Sequence, residues 1–391
     1  DFNPNWYLLI TGIALLGLKI EEASEPFKGA CNVTHPLIIE NSIKFQSKAI
    51  QEIFPPNGPV RSKVVDYTQE GVEEQAKRVK DHMNYQLTEE MEEYFDDTER
   101  VIFSTALIRT TIRNIRWDHS LNRPVVDSVP IENFHVSYWA QDLSRADRYT
   151  EVMPISEDDY ERAIEDGLYR RVELGSPGAP ERNALRDKID QVQGFSPPGM
   201  LHSPRHTFVE QHSFYKISTD PSPYSLPYVV TVDIDSQKIL SIRRNWKEFD
   251  AKKKKIMWYT RRIFVPGFGF FGLGYLHLLG NFAYTLTAII RALVDAGQFA
   301  NLPAGWKNRD VRFPAGNAND PFKPGEFRDI EVPSPGRVAD AFAPLPFKGA
   351  DQTLFLLLQW LSEKAQTFAD STEQVIADST NYGPVGTTMA L

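Results

Sequence analysis

Two apolar helices of nearly matched length, with a proline- and glycine-rich insert between them, constrain this 391-residue chain more than any other feature. Residues 276–301 (LHLLGNFAYTLTAIIRALVDAGQFAN) put Leu279, Phe282, Leu286, Ile289, Ile290, Leu293 and Ala296 on one helical stripe. Residues 349–371 repeat the pattern with Leu354, Phe355, Leu358, Leu361, Ala365 and Phe368. At ~1.5 Å per residue the stretches 276–301 and 350–371 span about 39 Å and about 33 Å, suited to an antiparallel pair. Leu356, Leu357 and Trp360 fall off the second stripe and leave spare apolar surface, which calls for partners such as neighbouring copies. The insert, 302–348, carries seven Lys/Arg against six Asp/Glu, so it is not a basic clamp. Trp306, Val311, Phe313, Phe322, Phe327, Ile330 and Val332 can form a small core, which predicts a compact β-rich cap.

The remainder reads as a mixed α+β body, with strands clustered after residue 200. Helical spacing covers 33–54 and ends at PPNGP, where proline removes the amide donor. A charged helical region runs from 70 to 107, with Val72, Ala76, Val79, Met83 and Leu87 along one face. Strands are expected at 61–67, 110–117, 124–129, 130–139, 148–154, 207–217, 228–233, 238–244 and 258–265. The pair flanking 234–237 is a hairpin, and Ser156 with Asp159 starts a helix. The apolar run 6–20 falls short of the ~20 residues of a membrane span and lacks a basic flank, so a buried element and no membrane partner are expected.

The formal net charge of -9 argues against a broad nucleic-acid-coating surface. Cys31 is the only cysteine, which excludes an intrachain disulfide and a cysteine-based zinc site and favours a reducing compartment. The chain begins without Met and ends at Leu391 as if entering another helix, so a fragment is expected at both ends.

Chemical motifs are weak. Gly267, Gly269 and Gly272 match G-x-G-x-x-G between a strand and a helix. Pro266 opens the turn, however, Phe268, Phe270 and Phe271 fill the variable positions, and no βαβ array follows. An aromatic-packed turn is expected, and no cofactor. His202, His206, Glu210 and His212 lack metal-ligand spacing; with a strand from 207, the first two histidines precede it and the last two residues share a face. Asp233, Asp235 and Gln237 echo a calcium loop, but Lys238 stands where glycine is required, so a hairpin turn and no metal are expected. Residues 252–255 are four lysines, expected at a solvated hairpin tip. Neither a phosphate-binding lysine loop, a nucleophile elbow nor a convincing carboxylate pair emerges, and no catalytic residue is expected.

Seven stretches in order carry a family resemblance: HPLIIENSIKFQSKAI with IFPPNGPVRSKVV, RVKDHMNYQLTEEMEEY, RPVVDSVPIENFHVSY, LPYVVTVDIDSQKILSIRRNW, FVPGFGFFGLGYLHLLG, ALVDAGQFANLPAGW and PVGTTMAL. Over most of its length the chain resembles the portal, or head–tail connector, proteins of tailed bacteriophages. The resemblance implies a ring of about twelve subunits at one capsid vertex. Such a ring passes double-stranded DNA and contacts terminase, tail adaptor and major capsid protein. It implies a virion location after assembly in the host cytoplasm, and no enzymatic activity, since the ATPase belongs to the terminase. It implies a mixed α/β wing (1–275), stem helices (276–301 and 349–371) and a small β-rich clip (302–348). A tunnel-loop region and the start of the last wing helix would occupy 372–391; the family continues into further helices and often a crown or barrel, and this sequence departs from it by not showing them. Gly267, Gly269, Gly272 and Gly274 would form the wing-to-stem hinge, and Lys307, Arg309, Arg312 and Lys323 the clip surface toward DNA or adaptor. Another adaptor or scaffold protein, or a dinucleotide enzyme using the glycines, are the alternatives.

Overall fold

The computed structural model describes residues 6–18, 29–64, 71–119, 121–175, 184–195, 204–217, 222–301, 305–307, 342–344 and 349–380. The chain is mixed α and β, and every ladder among the described residues is antiparallel. It divides into two compact units, Asp1–Lys19 with Pro36–Ala283 and Ala365–Leu391, and Ile20–His35 with Tyr284–Lys364.

The first unit opens with α1 (Trp6–Ala14), which buries Leu9 and Ile13. Gly12 lies so close to Leu276 that a β-carbon there would meet its side chain at 2.9 Å. Next come α2 (Leu37–Ile53), α3 (Val72–Tyr85) and α4 (Glu93–Ile108), with one π turn, Gln86–Glu90, between the last two. Helix α4 buries Val101, Ile102, Thr105 and Ala106 and packs on α2. The apolar face expected on α3 is not covered: that helix buries no residue, and Val79 and Met83 are exposed. Residues 61–64 pair with no strand, and the rest of the strand expected at 61–67 lies outside the described residues.

Strands β1 (Thr110–Asp118) and β2 (Arg123–Val129) form a hairpin, and β8 (Tyr259–Ile263) joins the other edge of β1. A second sheet has the order β3 (Phe134–Val136), β4 (Arg148–Ile155), β5 (His206–Tyr215), β6 (Leu226–Asp233), β7 (Ile239–Arg244). Strand β3 is shorter than its sequence suggests because Pro130 leads into a 3-10 turn over Ile131–Asn133. Helix α5 (Glu157–Glu165) starts where expected: the Ser156 hydroxyl accepts from the Asp159 amide at 3.2 Å, satisfying one of the orphan donors of the first turn. Tyr160 of α5 packs with Phe208 and Leu240 on the sheet. Helix α6 (Ala184–Gln193) buries Leu185 and packs against α1.

An aromatic cluster joins the two sheets. Phe134 lies 5.9 Å from Tyr149, 5.5 Å from Tyr259 and 6.4 Å from Phe270, centroid to centroid. Strand β3, strand β4, strand β8 and the glycine-rich turn are therefore tied at one point.

Two long helices complete the fold, α7 (Tyr275–Asn301) and α8 (Gln352–Thr380). Helix α8 runs past its expected end at residue 371. By length and composition α7 meets the requirement for a membrane span, a test that the run 6–20 failed. Its first half is core: Tyr275, Leu276, Leu279 and Ala283 are buried in the first unit. In the second unit, the segment 31–35 runs along α7. Cys31 N donates to Asp295 Oδ1 at 2.7 Å, His35 N donates to Thr287 Oγ1 at 3.1 Å, and Arg291 Nε donates to Val33 O at 2.9 Å. Strands β9 (Gly305–Lys307) and β10 (Phe342–Pro344) form a two-stranded ladder.

Candidate functional site

Among the described residues of the second unit, helix α8 presents the largest run of exposed apolar side chains on a single element. Phe355, Leu356 and Leu357 are exposed, and Trp360 is 54% exposed. Leu354, Leu358 and Leu361, the expected packing residues, are half-buried, so one side of the helix is engaged and the other is not. On α7, Leu279, Leu286 and Ile289 are buried as expected, and Phe282 and Leu293 are half-buried. Single exposed apolar residues are ordinary, but four within six positions of one helix form a contiguous face.

The glycine-rich turn is built around Arg109. Arg109 follows α4 with φ of 130°, a strained value for a side-chain-bearing residue. Gly274 presses on it: a β-carbon would lie 2.7 Å from Arg109 N and from Leu107 O. At Gly272 a β-carbon would overlap Ile263 Cγ2 and come within 2.5 Å of Val265 O, while its own amide donates to Thr110 Oγ1 at 2.9 Å. Gly267 is similarly hemmed in by Phe271 O, at 2.7 Å, whereas Gly269 faces open space. The Arg109 guanidinium stacks over Phe271 at 4.7 Å, and burial pushes its pKa down to about 10. His277, on the first turn of α7, is lowered to about 4 by burial and then by the Arg109 charge. The turn's tight spots thus serve its own backbone.

The sequence offered no carboxylate pair, yet the sheet register makes one. Glu151 on β4 stands directly opposite Glu210 on β5. Both face β8, where Tyr259 Oη donates to Glu151 Oε2 at 2.5 Å and also lies 3.4 Å from Glu210 Oε1. His212 Nε2 is 2.9 Å from Glu210 Oε1, and Arg243 donates to Glu210 Oε2 at 2.8 Å. Burial raises Glu151 to about 7, opposed by the Tyr259 hydrogen bond and reinforced by the Glu210 charge. Burial acts on Glu210 too, but the His212 hydrogen bond, with the His212 and Arg243 charges, holds it below the ordinary value. Two carboxylates in one network are therefore pushed apart, Glu210 held toward the charged form and Glu151 shifted toward the protonated one. Such a network stores a proton and cements the sheets. No spacing rule could have found it, because Glu151 and Glu210 meet only through strand pairing.

Of the expected clip cations, Lys307 lies on β9, while Arg309, Arg312 and Lys323 lie outside the described residues. The histidine grouping differs from expectation: β5 begins at His206, so that residue is in the strand rather than before it. His206 and His212 are both buried, and Nδ1 of each has no hydrogen-bond partner. Lys255 is no free hairpin tip, since its ammonium donates to Leu143 O at 2.9 Å and Ala146 O at 3.2 Å. Compared with protein-family models and with curated proteins, the chain matches none.

Proposed function

We propose that this chain is a subunit of a portal ring at the vertex of a tailed-phage capsid. In this reading the ring conducts double-stranded DNA and docks terminase on one occasion and a tail adaptor on another, surrounded by the major capsid protein. The observation that carries it is the unpartnered apolar face of α8, Phe355 to Trp360, on the second of two long helices. A subunit that repeats around a closed ring buries such a face on its neighbour, and closure leaves no copy uncovered. The ordered resemblance of seven stretches to portal proteins supports the same assignment. Portal work requires a rigid tube with few strong phosphate contacts, because each Lys/Arg–phosphate pair adds counterion-release affinity and holds the duplex back. The net charge of -9 suits sliding rather than gripping.

The dinucleotide alternative is disfavoured because Gly267, Gly272 and Gly274 are consumed by close contacts within the chain. An adaptor or scaffold with the same helix pair is the reading that the decisive experiment separates. Native mass spectrometry with negative-stain imaging of the full chain is expected to give rings of about twelve copies with a central hole. A monomer or dimer at micromolar concentration sinks the portal assignment.

A further inference from the structure

We infer that the tip of the five-stranded sheet holds a divalent metal ion of the zinc class, bound by His206, Asp233 and Asp235. The sheet register brings these residues together. Phe208 pairs with Asp233, and Ile234 N donates to Thr207 O at 3.1 Å, which continues the ladder and sets Asp235 beside His206. One ligand atom from each of the three residues can be chosen so that all lie within 4.8 Å of one another.

The second observation is unmet hydrogen-bonding capacity. Asp233 is 0% exposed, and its Oδ2 is fully used by Ser236, accepting from the amide at 3.1 Å and the hydroxyl at 2.5 Å. Its Oδ1 is buried with no hydrogen-bond partner. His206 is 3% exposed, and its Nδ1 is likewise buried and unpartnered. Two such orphans in one cluster are costly, since a buried polar atom without a partner forfeits its hydration. A cation between them supplies both at once. Two carboxylates and a neutral imidazole carry a charge of about -2, which a divalent ion balances.

The donor set selects the metal. Calcium requires about six to eight oxygens, more than two carboxylates offer. One imidazole with two carboxylate oxygens suits zinc, at about 2.0–2.2 Å from each, leaving a fourth position for water. Ligand atoms around a tetrahedral ion stand roughly 3.4 Å apart, so the site closes by a small movement. Asp235 is exposed and supplies both that movement and the route from solvent. Gly175 backs it from behind: a β-carbon there would meet Asp235 Cβ at 3.0 Å, so the chain at 175 packs directly on the ligand. The ion would pin the β6–β7 hairpin to β5, and the site stands independently of any ring.

The test is calorimetric titration of the chelator-stripped full chain with zinc chloride, with melting curves at each zinc concentration. One zinc per chain and a melting temperature that climbs with zinc are expected. Asp235→Asn, a change at an exposed side chain, is expected to melt like wild type without metal and to weaken zinc binding by about tenfold or more. Absence of saturable binding overturns the inference, as does an Asp235→Asn protein that binds zinc as tightly as wild type. Saturation by calcium but not zinc overturns it as well.

Discussion

Glu151 illustrates how one side chain can set the pH response of a sheet junction. Its folded pKa of about 7 stands above the ordinary 4.5, so between these values the folded state binds more protons than the unfolded state. Stability from this residue is then complete below about pH 4.5 and lost as pH rises through about 7. The whole effect is on the order of a few kcal/mol. Urea melts from pH 5 to pH 8 are expected to show falling stability in wild type. Glu151→Gln keeps the neutral form's shape and is expected to flatten that fall; an unchanged slope would assign the pH dependence elsewhere. Neither this pair nor the His206–Asp233–Asp235 group was legible along the chain. Glu151 and Glu210 are brought together by the β4–β5 register, and His206, set aside for want of metal-ligand spacing, meets Asp233 and Asp235 only through the β5–β6 register. Side-chain chemistry that depends on which strand lies alongside cannot be read from local spacing.

Elements whose cause is local were legible. The Ser156 cap, the hairpin flanking 234–237 and the two long helices follow from capping, turn chemistry and apolar period, and they stand where those signals put them, save that α8 continues to Thr380. The short β3 and the unpaired 61–64 departed from expectation, since strand propensity does not supply a partner. The glycine turn lies between these cases. Its existence was evident from composition, but which glycines matter depends on what the turn folds against. Gly272→Ala is expected to destabilise the protein by about 3 kcal/mol or more, because the β-carbon overlaps Ile263 and crowds the Val265 carbonyl. Gly274→Ala is expected to behave similarly against the Arg109 backbone, whereas Gly269→Ala, facing open space, is expected to change stability by less than about 0.5 kcal/mol. Chemical denaturation of the three variants checks this, and equal losses at 269 and 272 would contradict a turn held by close packing.

At the scale of the whole molecule, the α8 face makes assembly experimentally separable from folding. Trp360→Glu places a charge where an apolar neighbour would sit, and Trp360 is already half in solvent within the subunit. The variant is expected to keep the wild-type circular dichroism spectrum and melting temperature while ring yield falls at least about tenfold. Rings forming at wild-type yield would move the subunit contact away from α8. The contact of Gly12 with Leu276 carries a different consequence, one of timing during synthesis. Helix α1 leaves the ribosome long before Leu276, which is encoded more than 260 positions after Gly12. At about 5–20 residues per second Gly12 waits on the order of fifteen to fifty seconds for that partner. The packing of α1 against the start of α7 therefore closes only late in synthesis, after most of the intervening chain has been made.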